Sequence, residues 1–176
     1  LRKEDVEQND IATLKIDYSR LFIGPYSLLA PPYGSVYMER KRQIMEDSTM
    51  DTLKRYADAG LTMSESFKDI PDHIRAELEF MHFLIVKEMA SADKGDTIEL
   101  TSILEKQLSF LENHLCAWIS DFADNVVNNA KTSFYQNLAR TTEAFVQDDH
   151  RAVSAMLSGL QPVELNDGVD TLQTPC

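Results

Sequence analysis

Two cysteines in 176 residues, Cys116 and Cys176, supply neither a disulfide framework nor metal-ligand spacing, which points to a reducing compartment and a cytoplasmic protein. No apolar run approaches the roughly 20 residues of a membrane span, and the start, LRKEDVEQND, lacks the apolar centre of a signal peptide. Residue 1 is Leu1 rather than an initiator methionine, so further residues are expected upstream. Basic residues are the scarcer charge: 17 Lys and Arg face 29 Asp and Glu, a formal net charge of −12. That balance disfavours nucleic acid and anionic lipid as partners and leaves room for a basic one. No segment alternates apolar and polar residues over the length of a strand, and no unit recurs at a fixed period. What remains is an all-α, single-domain helical bundle, long enough to bury roughly 70% of the surface of its unfolded chain.

The densest apolar stretch is DIPDHIRAELEFMHFLIVKEMA, Asp69 to Ala90. Ile74, Leu78, Met81, Ile85 and Met89 share one helical face, and Phe80, Phe83, Leu84 and Val86 widen it almost to a full circle, so this helix is expected to be the most buried. Pro71 suits a first helical turn, which predicts a start at Ile70 or Pro71 and puts Asp72 and His73 among the free N–H groups of that turn. Before it, Ile11, Leu14, Tyr18 and Leu21 predict a helix that stops at Gly24-Pro25, and Ser48 is placed to cap a second over Thr49 to Ala59, stopped by Gly60. After it, Leu104, Leu108, Leu111, Leu115, Trp118 and Phe122 form a stripe spaced 4, 3, 4, 3, 4, too short and too irregularly charged for a coiled coil and better suited to a bundle. A second stripe runs from Phe134 to Val146 behind Thr132 and Ser133, followed by a short helix over Arg151 to Leu157. The expected division is a helical domain over residues 1–160 and an irregular tail over 161–176.

Chemistry is thinly represented. Asp72-His73 is the one acid–imidazole pair, but successive helical side chains diverge by about 100°, and no serine or cysteine nucleophile sits in a recognisable turn. His73 and Glu77 share a face at i, i+4 without completing a metal motif, while His114 and His150 read as helix-end or surface histidines. No phosphate-binding glycine loop is present, and Trp118, the single tryptophan, reads as core. The expectation is therefore no catalytic residue, no metal and no cofactor. By contrast GPYSLLAPPYGSVY, Gly24 to Tyr37, holds three of the six prolines and interleaves them with Tyr26, Tyr33 and Tyr37. Rigid backbone carrying tyrosines serves either as a binding surface that loses little entropy on contact or as a loop whose rings plug the core.

The runs YSRLFIGP (Tyr18 to Pro25), APPYGSVY (Ala30 to Tyr37) and PDHI (Pro71 to Ile74) with ELEFM (Glu77 to Met81) resemble the TorD-type family of cytoplasmic chaperones for molybdenum reductases. FLENHL (Phe110 to Leu115), Trp118 and Phe134-Tyr135 extend the resemblance over roughly residues 18–148. It implies an all-helical protein that is not an enzyme and that binds the twin-arginine leader and the body of an apo-molybdoenzyme until molybdopterin is loaded. A monomer with some homodimer is expected on separate grounds, since a helical bundle with connecting hinges can exchange elements between copies. It also implies a leader-binding surface of Tyr18, Phe22, Tyr26, Tyr33, Tyr37, Arg40, Asp72 and His73. Two readings of other classes stand beside it: a structural helical subunit of a larger complex, and a small hydrolase using His73.

Overall fold

The protein is described here as a computed structural model over residues 11–24, 28–39, 47–64 and 67–160. The described residues are all-α, as expected, with seven α-helical segments and two π-helical turns. The helices are α1 (Ile11–Tyr18), α2 (Gly34–Met38), α3 (Asp47–Asp58), α4 (Ile74–Lys94), α5 (Thr97–Phe110), α6 (Cys116–Asn129) and α7 (Ser133–Leu160). One π turn, Ser19–Ile23, prolongs α1, and the other, Leu111–Leu115, joins α5 to α6. Tyr26, Arg40 and the tail after Leu160 lie outside the described residues.

The long stripe holds. Leu104, Leu111, Leu115, Trp118 and Phe122 are buried and Leu108 is half-buried, because the π turn lets the helical path continue from α5 into α6 while shifting its face. Short connections then fold α6 against α7 and α4 against α5. At the second of these, Gly95 takes φ 68°, a conformation open to glycine, and Asp96 N–H closes back on Ser91 C=O at 3.0 Å. Asp96 then accepts Glu99 N–H at 3.0 Å and starts α5. The second stripe and the short helix expected after it form one continuous helix of 28 residues, α7.

Two expectations for the central helix fail. It starts at Ile74 rather than Ile70 or Pro71, since Pro71 occupies the second position of a turn closed by His73 N–H on Ile70 C=O at 3.0 Å. Pro presets the same φ in a turn as in a first helical turn, and sequence does not separate the two. Nor is α4 the most buried helix: Ala76, Glu77, Phe80, Met81 and Leu84 face inward, but Val86 and Met89 are exposed. The centre of the core is α6, where Trp118, Ile119, Phe122, Ala123 and Val126 are all buried. Likewise α3 begins at Asp47, so Ser48 lies inside it rather than before it.

Candidate functional site

The N-terminus of α4 is built against the 28–39 segment. Ile74 N–H donates to Pro32 C=O and Gly34 N–H to Asp72 C=O, both at 2.9 Å, and Tyr33 pairs with His73 in an isolated antiparallel bridge. His73 caps α4, its Nδ1 accepting Arg75 N–H at 3.0 Å, so that nitrogen carries a lone pair and the ring is neutral. Burial holds the His73 pKa below its ordinary value, opposed by the nearby carboxylate of Asp69. Tyr33 meets the imidazole edge-on at 5.2 Å and donates its hydroxyl to the exposed Asp69 at 3.4 Å.

Asp72 is not in the first turn of α4, and it does not cap that helix. Its carboxyl is buried, accepting Ser35 N–H at 2.7 Å, which ties it to the start of α2. Three residues into α4, Glu77 is fully buried and accepts the indole N–H of Trp118 at 3.0 Å. Burial pushes its carboxyl well above the ordinary carboxylate range; the indole N–H opposes the rise and Asp72 adds to it. Gly34 lies so close to the Trp118 indole that a Cβ there would meet Nε1 at 2.9 Å, which explains a glycine at this point of the chain.

On the α1 side the organising residue is Asp17, buried at the end of that helix. Its Oδ2 accepts the N–H groups of Lys131 and Thr132, each at 2.9 Å, and the Thr132 hydroxyl at 2.8 Å, while Oδ1 takes Arg20 at 2.9 Å. This staple brings residues over 110 positions apart together and sets the rings of Tyr18 and Phe22 beside Tyr135 at 6.3 and 5.8 Å. Asp17 was not singled out from sequence, since one acid in a helical pattern carries no sign of a partner so far along the chain.

Between these two anchors opens an apolar groove of about 340 Å³. Tyr18 and Phe22 line it from the first helical segment, His73, Ile74, Arg75 and Leu78 from the start of α4, and Phe122, Val126, Tyr135 and Leu138 from α6 and α7. Of the expected site residues it therefore gathers Tyr18, Phe22 and His73, with Tyr33 against His73. Tyr37, partly buried, stacks on the core residue Trp118 at 5.6 Å, and Asp72 is buried rather than on the groove surface. Asp69 does not line the groove; it is an exposed acid connected to it through Tyr33, whose hydroxyl it accepts and whose ring meets His73. A larger cavity of about 450 Å³, lined among others by Met63, Phe67, Phe83 and Val86, opens on another side of α4 but gathers none of the expected site residues. The Arg75 guanidinium, 4.9 Å over the Phe67 ring, stands between the two.

His114 departs from expectation, being buried rather than at a surface. Its Nε2 lies 2.8 Å from Asp51 Oδ2 and its Nδ1 3.1 Å from Thr52 Oγ1. Burial lowers its pKa against the opposing Asp51 bond, so the neutral ring donates Nε2–H to Asp51, and its Nδ1 lies against the Thr52 hydroxyl, whose one proton also has Ser48 C=O in reach at 3.0 Å. The chain Asp–His–Thr has the form of a catalytic relay, yet Thr52 is wholly buried, and the arrangement ties α3 to the π turn of Leu111–Leu115. Among the described residues no cluster of three His, Cys, Asp or Glu is placed to hold a metal, and no helix is long and apolar enough to cross a membrane.

The groove and its buried acids thus sit in an all-helical protein whose short aromatic segments are folded onto one helix terminus. The chain belongs to the nitrate reductase delta subunit family, whose model matches residues 2–124. It is similar to the chaperone protein TorD of Vibrio parahaemolyticus, 26% identical over 77% of this chain and 62% of that protein. It is also similar to the Tat proofreading chaperone DmsD of Salmonella typhimurium, 32% identical over 72% of this chain and 57% of that protein. The TorD of Photobacterium profundum is 28% identical over 84% of this chain and 72% of its own length. The TorD-type resemblance seen in the motifs is borne out. The alignments with the Vibrio and Salmonella relatives span about three fifths of those proteins' length.

Proposed function

We propose that the protein is a cytoplasmic redox-enzyme maturation chaperone that binds the twin-arginine leader and the apo form of a molybdopterin-dependent oxidoreductase before cofactor loading and export. The observation that carries this reading is the apolar groove, with Asp69 connected to it through Tyr33. A twin-arginine leader is a basic pair followed by an apolar run. The groove supplies rings and aliphatic side chains for the run, and Asp69, within a chain of net charge −12, supplies a carboxylate for a guanidinium. Kinship with proteins named as chaperones supports the same reading and favours a binding protein over a hydrolase. His73 is also in the wrong tautomer for a hydrolase base, since its Nδ1 accepts the Arg75 N–H and the proton of the neutral ring is then on Nε2.

In this reading Tyr18, Phe22 and His73 touch the leader, Tyr33 and Asp69 take its arginines, and Tyr37 and Asp72 support them. Tyr26 and Arg40 are kept as leader contacts on the strength of the family motif. The chaperone works as a monomer able to pair with a second copy, and light scattering with and without client measures this. Titration of a twin-arginine peptide at two salt concentrations tests the site. Phe22→Ala should weaken binding about tenfold at both salts, and Asp69→Asn should weaken it mainly at low salt. Equal affinity for the leader and for a scrambled peptide of the same composition would refute the reading.

A further inference from the structure

Two buried carboxyls converge on the Gly34–Ser35 peptide. Asp72 binds the Ser35 N–H through Oδ2, and Glu77 binds, through Oε2, the same Trp118 Nε1 against which Gly34 is packed. Each has a second oxygen, Asp72 Oδ1 and Glu77 Oε1, that is buried and takes no hydrogen bond from any described protein group. The hydroxyl of Ser35, whose N–H Asp72 already binds, takes part in no hydrogen bond to either of them. Two ionised carboxylates cannot satisfy one another, because each only accepts; one proton between them turns the pair into a donor and an acceptor.

We propose that Glu77 is a proton-carrying positioning residue, donating its carboxyl proton to Asp72 Oδ1 directly or across one water, so that the two acids act as one clamp on the segment that presents Tyr33 and His73. The surroundings favour this assignment. Glu77 forms no ion pair with any described Lys or Arg, and its burial and the charge of Asp72 both oppose ionisation. Tyr56, from α3, faces both acids; burial and both acids hold its pKa far up, so its hydroxyl stays protonated and donates to Pro71 C=O at 3.0 Å. Tyr33 and His73, on the segments being held together, feel the charge of Asp72 as well. His114, from the π turn, also feels Asp72 but is neutral and bonded to Asp51 and Thr52. Through Asp72 the clamp reaches the groove, since its backbone C=O holds Gly34 and the residue after it is His73.

The role of the clamp in binding rests on the proposed leader recognition, whereas the proton itself is tested without it. Infrared difference spectra of wild type against Glu77→Gln at neutral pH should show the carbonyl band of a protonated carboxyl that the variant lacks; a difference confined to carboxylate bands would overturn the proposal. Leader titration then asks what the clamp does. Glu77→Gln, which retains an acceptor for Trp118 and offers an amide donor to Asp72, should bind within about twofold of wild type, while Glu77→Ala should lose about tenfold. A Gln variant as weak as the Ala variant would sink the positioning role. If the infrared band is present but wild type binds no leader, the functional reading fails and the shared proton stands.

Discussion

Asp17 and the Glu77–Asp72 pair are both acid sites removed from solvent, and they solve the same problem in opposite ways. Asp17 is surrounded by donors, three on one oxygen and Arg20 on the other, so its charge is met wherever it can accept. Glu77 and Asp72 have one donor each and one oxygen each left over. A saturated carboxylate is a fastener, whereas a pair short of donors has a proton to place, and the second kind flanks the groove residue His73. The difference predicts where an amide can replace an acid without loss.

Removing the fastener should have the largest effect. Asp17→Ala leaves the N–H groups of Lys131 and Thr132 without their acceptor and detaches α1 from α7, at a cost of about 3–5 kcal/mol in urea unfolding. The milder Asp17→Asn should still cost about 1–3 kcal/mol, because an amide nitrogen would face Arg20 or one of the backbone donors. Gly34→Ala forces a methyl against the Trp118 indole and should cost about 1–3 kcal/mol, with the leader titration weakened in parallel. Stability should also fall on both sides of a pH optimum, for different reasons. His73 and His114 have folded pKa values below the ordinary 6.5, so the stability they contribute is present above that value and lost as pH falls through the folded values. Glu77 has a folded pKa above the ordinary 4.5, so its contribution is present below that value and lost as pH rises through the folded one. Glu77→Gln should have the smallest effect at neutral pH, within about 1 kcal/mol, while removing this alkaline loss. Urea midpoints across pH for wild type and both amide variants would check all of this, and an equal penalty for Asp17→Asn and Glu77→Gln would erase the distinction between the two sites.

Helix class and core stripe were legible because they depend on spacing alone. Leu104, Leu111, Leu115, Trp118 and Phe122 repeat along a face, and that repeat survives the π turn. The start of α4 was misread because Pro71 fits a turn as well as a helix. The exposure of Val86 and Met89 was missed because apolar residues all around a helix do not say how many neighbours arrive to cover them. At the groove, motif resemblance located Tyr18, Phe22 and His73, but not that Asp72 faces inward and Asp69 outward. Side-chain direction at a turn depends on which backbone closes it, here the Tyr33–His73 bridge between segments 40 residues apart. The same limit hid Asp17 and the pairing of His114 with Asp51.

Trp118 is the only indole in the chain, and it is held by Glu77 at its N–H, by Tyr37 across its face and by Gly34 against its edge. Its ultraviolet emission therefore comes from a single origin and depends on the polarity and charge within a few ångströms of that ring. Any event that lifts the 34–38 segment or ionises Glu77 changes the colour or brightness of that light. The protein thus carries its own label-free optical gauge beside Glu77 and the 34–38 segment, and stopped-flow mixing with a twin-arginine peptide would test the proposed binding in real time with no dye attached.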